Sequence, residues 1–126
     1  MALKYLLDSN VIIDLFGNKL PDDRATFIKK LPILISVVSR IELIGRYEPT
    51  VKYLQKINSF LHDATIYELD ETIILQAIDI RQKNKIKLPD AIIAATARTN
   101  KMTLITHNID DFKTIRGLKI IDSWKS

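Results

Sequence analysis

No cysteine occurs among the 126 residues, which excludes disulfides and thiolate zinc sites and makes a reducing cytoplasm the expected compartment. Histidine is nearly as scarce. His62 and His107 are the only two, too few to form a structural zinc site on their own. Long hydrophobic runs are also missing: a stretch such as Ile33 to Val38 falls far short of the ~20 apolar residues of a membrane span. Lys4 and Asp8 interrupt the apolar N-terminal stretch and no small-residue cleavage site follows, so no secretory signal is expected. Low-complexity tracts, internal repeats and domain boundaries are absent from the sequence as well. What is present is 47% hydrophobic and 27% charged, the balance of an ordinary globular domain, expected as one unit over residues 1–126. A formal net charge of +4 suits a polyanionic partner without demanding one.

Leu3 to Leu7 is expected as a buried strand, halted at Asp8-Ser9-Asn10, which is a helix-start signal. Val11, Ile12, Leu15 and Phe16 follow at helical spacing until Gly17-Asn18. A second helix is expected over Arg24 to Leu31, then a strand over Ile33 to Val38, apolar on both faces. Strands of that kind belong to parallel sheets covered by helices. Ser39 to Ile44 is expected as a helix, Pro49 to Leu61 as an amphipathic one and Thr65 to Leu69 as a third strand. Asp70 caps a helix to about Lys83, Asp90 to Asn100 is an Ala-rich helix, and Thr103–Thr106 and Lys119–Ile121 are the last strands. Strands alternating with helices predict an α/β fold with a mainly parallel sheet.

In such sheets ligands sit outside the carboxyl ends of the strands. Asp8 ends the first strand, Glu42 lies one turn beyond the second, Asp90 opens the Ala-rich helix, and Asn108, Asp110 and Asp111 follow the fourth strand. Each has a bland reading. Asp8 or Ser9 caps a helix, Ser39-Arg40-Ile41-Glu42 has the spacing of a capping box, Asp90 after Pro89 fits an ordinary helix start, and Asn108 to Asp111 fits another cap. Caps, however, do not require acids to congregate, and like charges held together cost free energy unless a cation or proton neutralises them. An oxygen-rich cluster suits Mg²⁺ or Mn²⁺ better than zinc.

These segments resemble the motifs of the PIN-domain family. Leu6-Leu7-Asp8-Ser9-Asn10 with Val11-Ile12-Ile13-Asp14 looks like the first, and Ser39-Arg40-Ile41-Glu42-Leu43-Ile44-Gly45 is similar to the second. Leu88-Pro89-Asp90-Ala91-Ile92-Ile93-Ala94-Ala95-Thr96-Ala97 resembles the third and is the most specific, while Leu104 to Phe112 resembles the fourth. Among family members, a compact domain is most similar to VapC-type toxins of prokaryotic toxin–antitoxin pairs. The resemblance implies a three-layer α/β/α sandwich, Mg²⁺- or Mn²⁺-dependent cleavage of RNA, a homodimer, and a small cognate antitoxin protein as partner. It assigns Asp8 and Asp90 as metal ligands, with Glu42 completing the site or acting through water. Asn108 stands where many members carry Asp, and whether Asn108, Asp110 or Asp111 completes the site is left open.

Arg81, Lys83, Lys85 and Lys87 lead into Asp90 and read either as a solvated helix end or as phosphate contacts for RNA. Ser9 and Thr106 are candidates to bond a ligand or phosphate, though turn chemistry explains them equally. His107 reads as polar surface, Asp14 and Asp79 as helix-face charges, and Trp124 as packing or an anchor for the tail. An aspartyl-phosphate receiver would want a paired acid after the first strand, and a haloacid-dehalogenase-like phosphatase would want Asp where Asn10 stands. The remaining alternatives are a PIN nuclease of housekeeping RNA processing and a non-catalytic PIN-like binding module.

Overall fold

The computed structural model describes residues 3–125. Five short strands alternate with helices: β1 (Tyr5–Leu7), α1 (Ser9–Phe16), α2 (Asp22–Lys29), β2 (Leu34–Ser36), α3 (Val37–Ile44), α4 (Val51–His62), β3 (Thr65–Tyr67), α5 (Glu71–Lys83), α6 (Leu88–Thr99), β4 (Thr103–Thr106), α7 (Ile109–Phe112) and β5 (Lys119–Asp122). Every pairing is parallel. β4 is flanked by β1 and β5, with Leu6 opposite Leu104 and Leu104 opposite Ile120, while β2 pairs with β3 and lies beside β1. Parallel strands need crossover helices, and these cover both faces of the sheet.

The strand sequences show why. Successive side chains point to opposite faces, and here both faces are apolar. Leu6 and Leu104 enter one core, with Ile73, Ile80, Ala91, Ala94, Ala95 and Phe112 from α5, α6 and α7. Leu7, Ile35 and Ile105 enter the other, with Val11, Ile12, Ile28, Leu43, Ile57 and Leu61 from α1, α2, α3 and α4. The result is the expected α/β/α sandwich. The alanines of α6 let it pack close against the sheet and α5, because small side chains allow close approach of the backbones. Among the described residues no helix is long and apolar enough to cross a membrane.

The second strand differs from expectation. Ser36, not Ser39, is the N-cap of α3: its side chain accepts a hydrogen bond from the Val38 N–H. Val37 and Val38 therefore begin a helix and do not finish a strand. Ser39 lies inside that helix, fully buried and with its hydroxyl unpaired, so the anticipated capping box with Glu42 does not form. The helix closes at Gly45, where a Cβ would stand 2.6 Å from the Ile41 carbonyl oxygen, so only glycine fits. The Ala-rich helix starts two residues early, at Leu88, with Pro89 in its first turn and no side-chain cap from Lys87.

Candidate active site

At the carboxyl edge of the sheet, β1 runs into Asp8 and β4 ends on Thr106. The Asp8 N–H continues the ladder by donating to the Ile105 carbonyl at 3.0 Å, which fixes where the side chain emerges. Asp8 is the N-cap of α1 and is 5% exposed. Its Oδ1 accepts from the Ser9 N–H at 2.8 Å, and its Oδ2 accepts from the Thr106 hydroxyl at 2.8 Å and the Asn10 amide at 3.0 Å. Asp8 thus caps α1 and at the same time stands among the other acids of this edge.

Glu42 reaches the same place from α3, where its Oε1 accepts from the Ser9 hydroxyl at 2.8 Å. Asp90 stands in the first turn of α6 and Asp111 in the first turn of α7. Burial pushes the Asp8 carboxyl up to about 6, against the pull of its hydrogen bonds from Thr106 and Ser9, and the negative charges of Asp90 and Glu42 raise it further. Burial likewise raises Asp90, with the charges of Asp111 and Glu42 adding to it and Lys87 opposing. The four acids therefore feel one another. Among the described residues none of the four is in a salt bridge.

Asn108 is the N-cap of α7, and its N–H donates to the Thr106 hydroxyl at 3.0 Å. Its side chain makes no cap bond, which leaves the amide available to a ligand. Asp110 is turned to other business, accepting from Lys113 at 2.9 Å. Beside Asp90 lies an open cleft of about 610 Å³, lined by Arg81, Lys85, Lys87, Asp90, Asp110 and Asp111. Three of the four expected RNA-binding cations line it. Lys83 does not: it pairs with Asp79 at 2.7 Å. Ser9 and Thr106, expected as possible phosphate contacts, are buried and their hydroxyls instead orient Glu42 and Asp8.

Asn10 is the residue that sequence reasoning passed over. Its amide nitrogen donates to Asp8 while its Oδ1 accepts from the His107 N–H at 3.3 Å, tying β1 to the segment after β4. The polar residue two places beyond a strand-end acid was the available signal. Asp14, read as a surface charge, accepts from the Trp124 indole at 3.1 Å, and Trp124 does anchor the tail.

The acids do not form a closed cage. Among the described residues no group of three His, Asp or Glu side chains converges on one point as it stands. The donor chemistry nevertheless fits Mg²⁺ or Mn²⁺, which keep several waters and take only one or two carboxylates together with substrate phosphates. An uncompensated set of carboxylates on an open edge is an arrangement that a divalent cation relieves.

Residues 5–118 match the family model described as "PIN domain". The chain belongs to the PIN domain family. Among solved structures, this PIN domain is similar to a chain of a toxin–antitoxin complex from Klebsiella pneumoniae, at 30% identity and a TM-score of 0.77, covering 98% of this chain and 100% of that one. VapBC-1 from nontypeable Haemophilus influenzae matches at 26% identity and a TM-score of 0.80, over 98% and 100% of the two chains. VapBC2 from Rickettsia felis, bound to a promoter DNA fragment, shares the fold at 23% identity and a TM-score of 0.82, over 95% and 98%. A comparison with curated protein sequences finds no match.

Proposed function

We propose that this PIN domain is a divalent-metal-dependent endoribonuclease, the toxin of a toxin–antitoxin pair that acts in the cytoplasm. The observation that carries the reading is the gathering of Asp8, Glu42, Asp90 and Asp111 at one sheet edge, none of them held in a salt bridge among the described residues and only Lys87 opposing the charge on Asp90. Asp8, Glu42 and Asp90 would hold Mg²⁺ or Mn²⁺, with Asn108 and Asp111 beside them. When bound, such an ion supplies activation of water and relief of the charge that builds on a phosphodiester.

The chain's own residues do the rest. Thr106, Asn10 and the Ser9 N–H fix the orientation of Asp8, and the Ser9 hydroxyl fixes Glu42; partners of this kind set ligand geometry. Arg81, Lys85 and Lys87 offer cations along the cleft that leads to Asp90, which suits a phosphate backbone, and contacts of that kind position a strand without reading its sequence.

The toxin assignment rests on the likeness to a chain of a toxin–antitoxin complex from Klebsiella pneumoniae and to VapBC-1 from Haemophilus influenzae, and on a fitting surface. A second opening of about 850 Å³ lies between α1, α2 and α4, lined by Leu15, Phe16, Ile28, Leu31, Ile33 and Phe60 among others. A helical segment with apolar anchors suits such a groove, and an antitoxin is the occupant we assign. The wall contributed by α4 is its Gln55–Phe60 side; Ile57 is buried in the core and Val51 is exposed elsewhere. A shallow apolar depression of about 300 Å³ at Leu69, Ile78 and Leu88, all three exposed, is assigned to a second copy of the chain.

Incubating the purified chain with cellular RNA, with and without Mg²⁺ or Mn²⁺, tests the enzyme class: cleavage should require the ion. Expression alone should arrest growth, and co-expression of a small adjacent antitoxin should restore it. Harmless expression of a folded, nuclease-active chain would point to RNA processing, and intact RNA under all conditions would remove the enzymatic reading.

A further inference from the structure

Outside the basic cleft, next to the Thr106 that orients Asp8, lies an aromatic pair that the nuclease chemistry does not use. His107 follows Thr106 directly, and its ring stacks on the indole of Trp124, with centroids 4.8 Å apart and planes inclined by 27°. Four further contacts hold the pair, one of them the Trp124 N–H donating to Asp122 at 2.9 Å. The His107 Nδ1 lies 3.2 Å from Asp122, the His107 N–H donates to Asn10, and the Trp124 indole donates to Asp14. Trp124 covers one face of the imidazole, yet 44% of the His107 side chain remains exposed, so its solvent-facing surface is the opposite face and rim. A flat ring is thereby held rigid and open one residue from the hydroxyl that orients Asp8.

Single-stranded RNA is recognised chiefly by stacking its unpaired bases on such rings. We propose that His107, backed by Trp124, is the platform on which the base flanking the cut stacks. The proposal rests on the ribonuclease reading and adds a base-binding residue to it. In the bland alternative, the pair only latches the C-terminal tail through Asp122 and Trp124. That alternative makes His107 matter for stability and not for bases.

Two consequences separate these. Trp124 is the only tryptophan, so its emission reports on this spot alone. A single-stranded RNA oligonucleotide added in EDTA, where no cleavage occurs, should change that emission. A set of strands with one abasic ribose at successive positions should contain one position whose loss weakens binding by about tenfold, the scale of one base–aromatic stack. His107→Ala should weaken binding of the intact strand by the same factor but leave binding of that abasic strand unchanged. His107→Phe should restore it, since a benzene ring stacks without any polar contact to Asp122. In Mg²⁺, His107→Ala should slow cleavage of the intact strand more than cleavage of the strand abasic at that position. Equal losses for intact and abasic strands in His107→Ala, or failure of His107→Phe to restore binding, would overturn the proposal. Absence of cleavage by the wild-type chain together with a base-dependent emission change would instead sink the nuclease reading while retaining the stacking platform.

Discussion

Two groups of carboxylates in this molecule live under opposite conditions. Asp79 holds Lys83 at 2.7 Å and Arg98 at 2.9 Å, Asp110 holds Lys113 at 2.9 Å, and Asp122 faces His107 at 3.2 Å. Hydrogen bonds from Lys83 and Arg98 pull the Asp79 carboxyl below its ordinary range. Asp122 is also lowered, because hydrogen bonds from the Trp124 N–H and His107 outweigh its burial. Asp8 and Asp90 are instead raised by burial and by neighbouring acids, Asp90 and Glu42 for Asp8, and Asp111 and Glu42 for Asp90. The first group behaves as acids recruited for structure behave. The second is held in an arrangement that costs stability in the chain alone, and the cost makes sense where a ligand cation completes it.

The largest expected effect separates the groups by activity. Asp8→Asn, Glu42→Gln and Asp90→Asn should each lower Mg²⁺-dependent RNA cleavage on the order of 10²-fold or more, the scale of losing one electrostatic contact at a reacting centre. Asp79→Asn should leave cleavage near the wild-type rate. Full activity in Glu42→Gln and Asp90→Asn would erase the distinction.

A second contrast is in stability against pH. Because the Asp8 pKa is raised from 3.8 to about 6, the folded chain holds that proton more tightly than the unfolded one. The associated stability is fully present below pH 3.8 and is lost as pH rises through about 6. In EDTA, Asp8→Asn should therefore gain on the wild type by about 3 kcal/mol between acid and neutral pH, since each pKa unit is worth ~1.4 kcal/mol. Denaturant melts across that range check it; Asp79→Asn, whose carboxyl is lowered, should lose relative to wild type as pH rises. Parallel curves for Asp8→Asn and wild type would contradict the burial argument.

Third, removing the hydroxyl that orients Asp8 should be felt through the carboxylate. Thr106→Val should weaken Mn²⁺ affinity by about 10–100-fold, the usual effect of losing a partner behind a metal ligand, with melting temperature reported alongside. Unchanged affinity would reduce Thr106 to packing. The smallest effect concerns the cleft. Arg81→Ala, Lys85→Ala or Lys87→Ala should each flatten the salt dependence of RNA binding by about one unit of slope. Lys83→Ala should not, because Lys83 is engaged by Asp79.

How much of this was legible follows from where the signals sit. The layered α/β fold was, because apolar strands such as Leu104-Ile105 feed both cores and helices alternate with them. The end of β2 was not. Ile33 to Val38 is apolar except for Ser36, and that one polar residue was absorbed into a single strand although it is the cap that divides the three-residue strand from the first turn of α3. The four-residue α7 is too short to show periodicity, so Asn108 to Asp111 read as a cap and as site candidates but not as a helix. The placement of Asp8 at a strand end and of Asp90 in a helical first turn was legible from local motifs, whereas Glu42 sits in the second turn of α3 and is brought to Ser9 by the fold. The bridge from Asn10 to His107 joins residues 97 apart, and the pairing of Trp124 with Asp14 spans 110. Contacts at that separation leave no local pattern, so the polar scaffold around Asp8 emerged only from the fold.

The most direct test of the central claim is a calorimetric titration of Mn²⁺ into the metal-free chain, beside Asp8→Asn, Asp90→Asn and Asp79→Asn. Saturable binding in the wild type and Asp79→Asn, lost in Asp8→Asn and Asp90→Asn, is the predicted result. Binding that is equal in all four, or absent from the wild type, would contradict it.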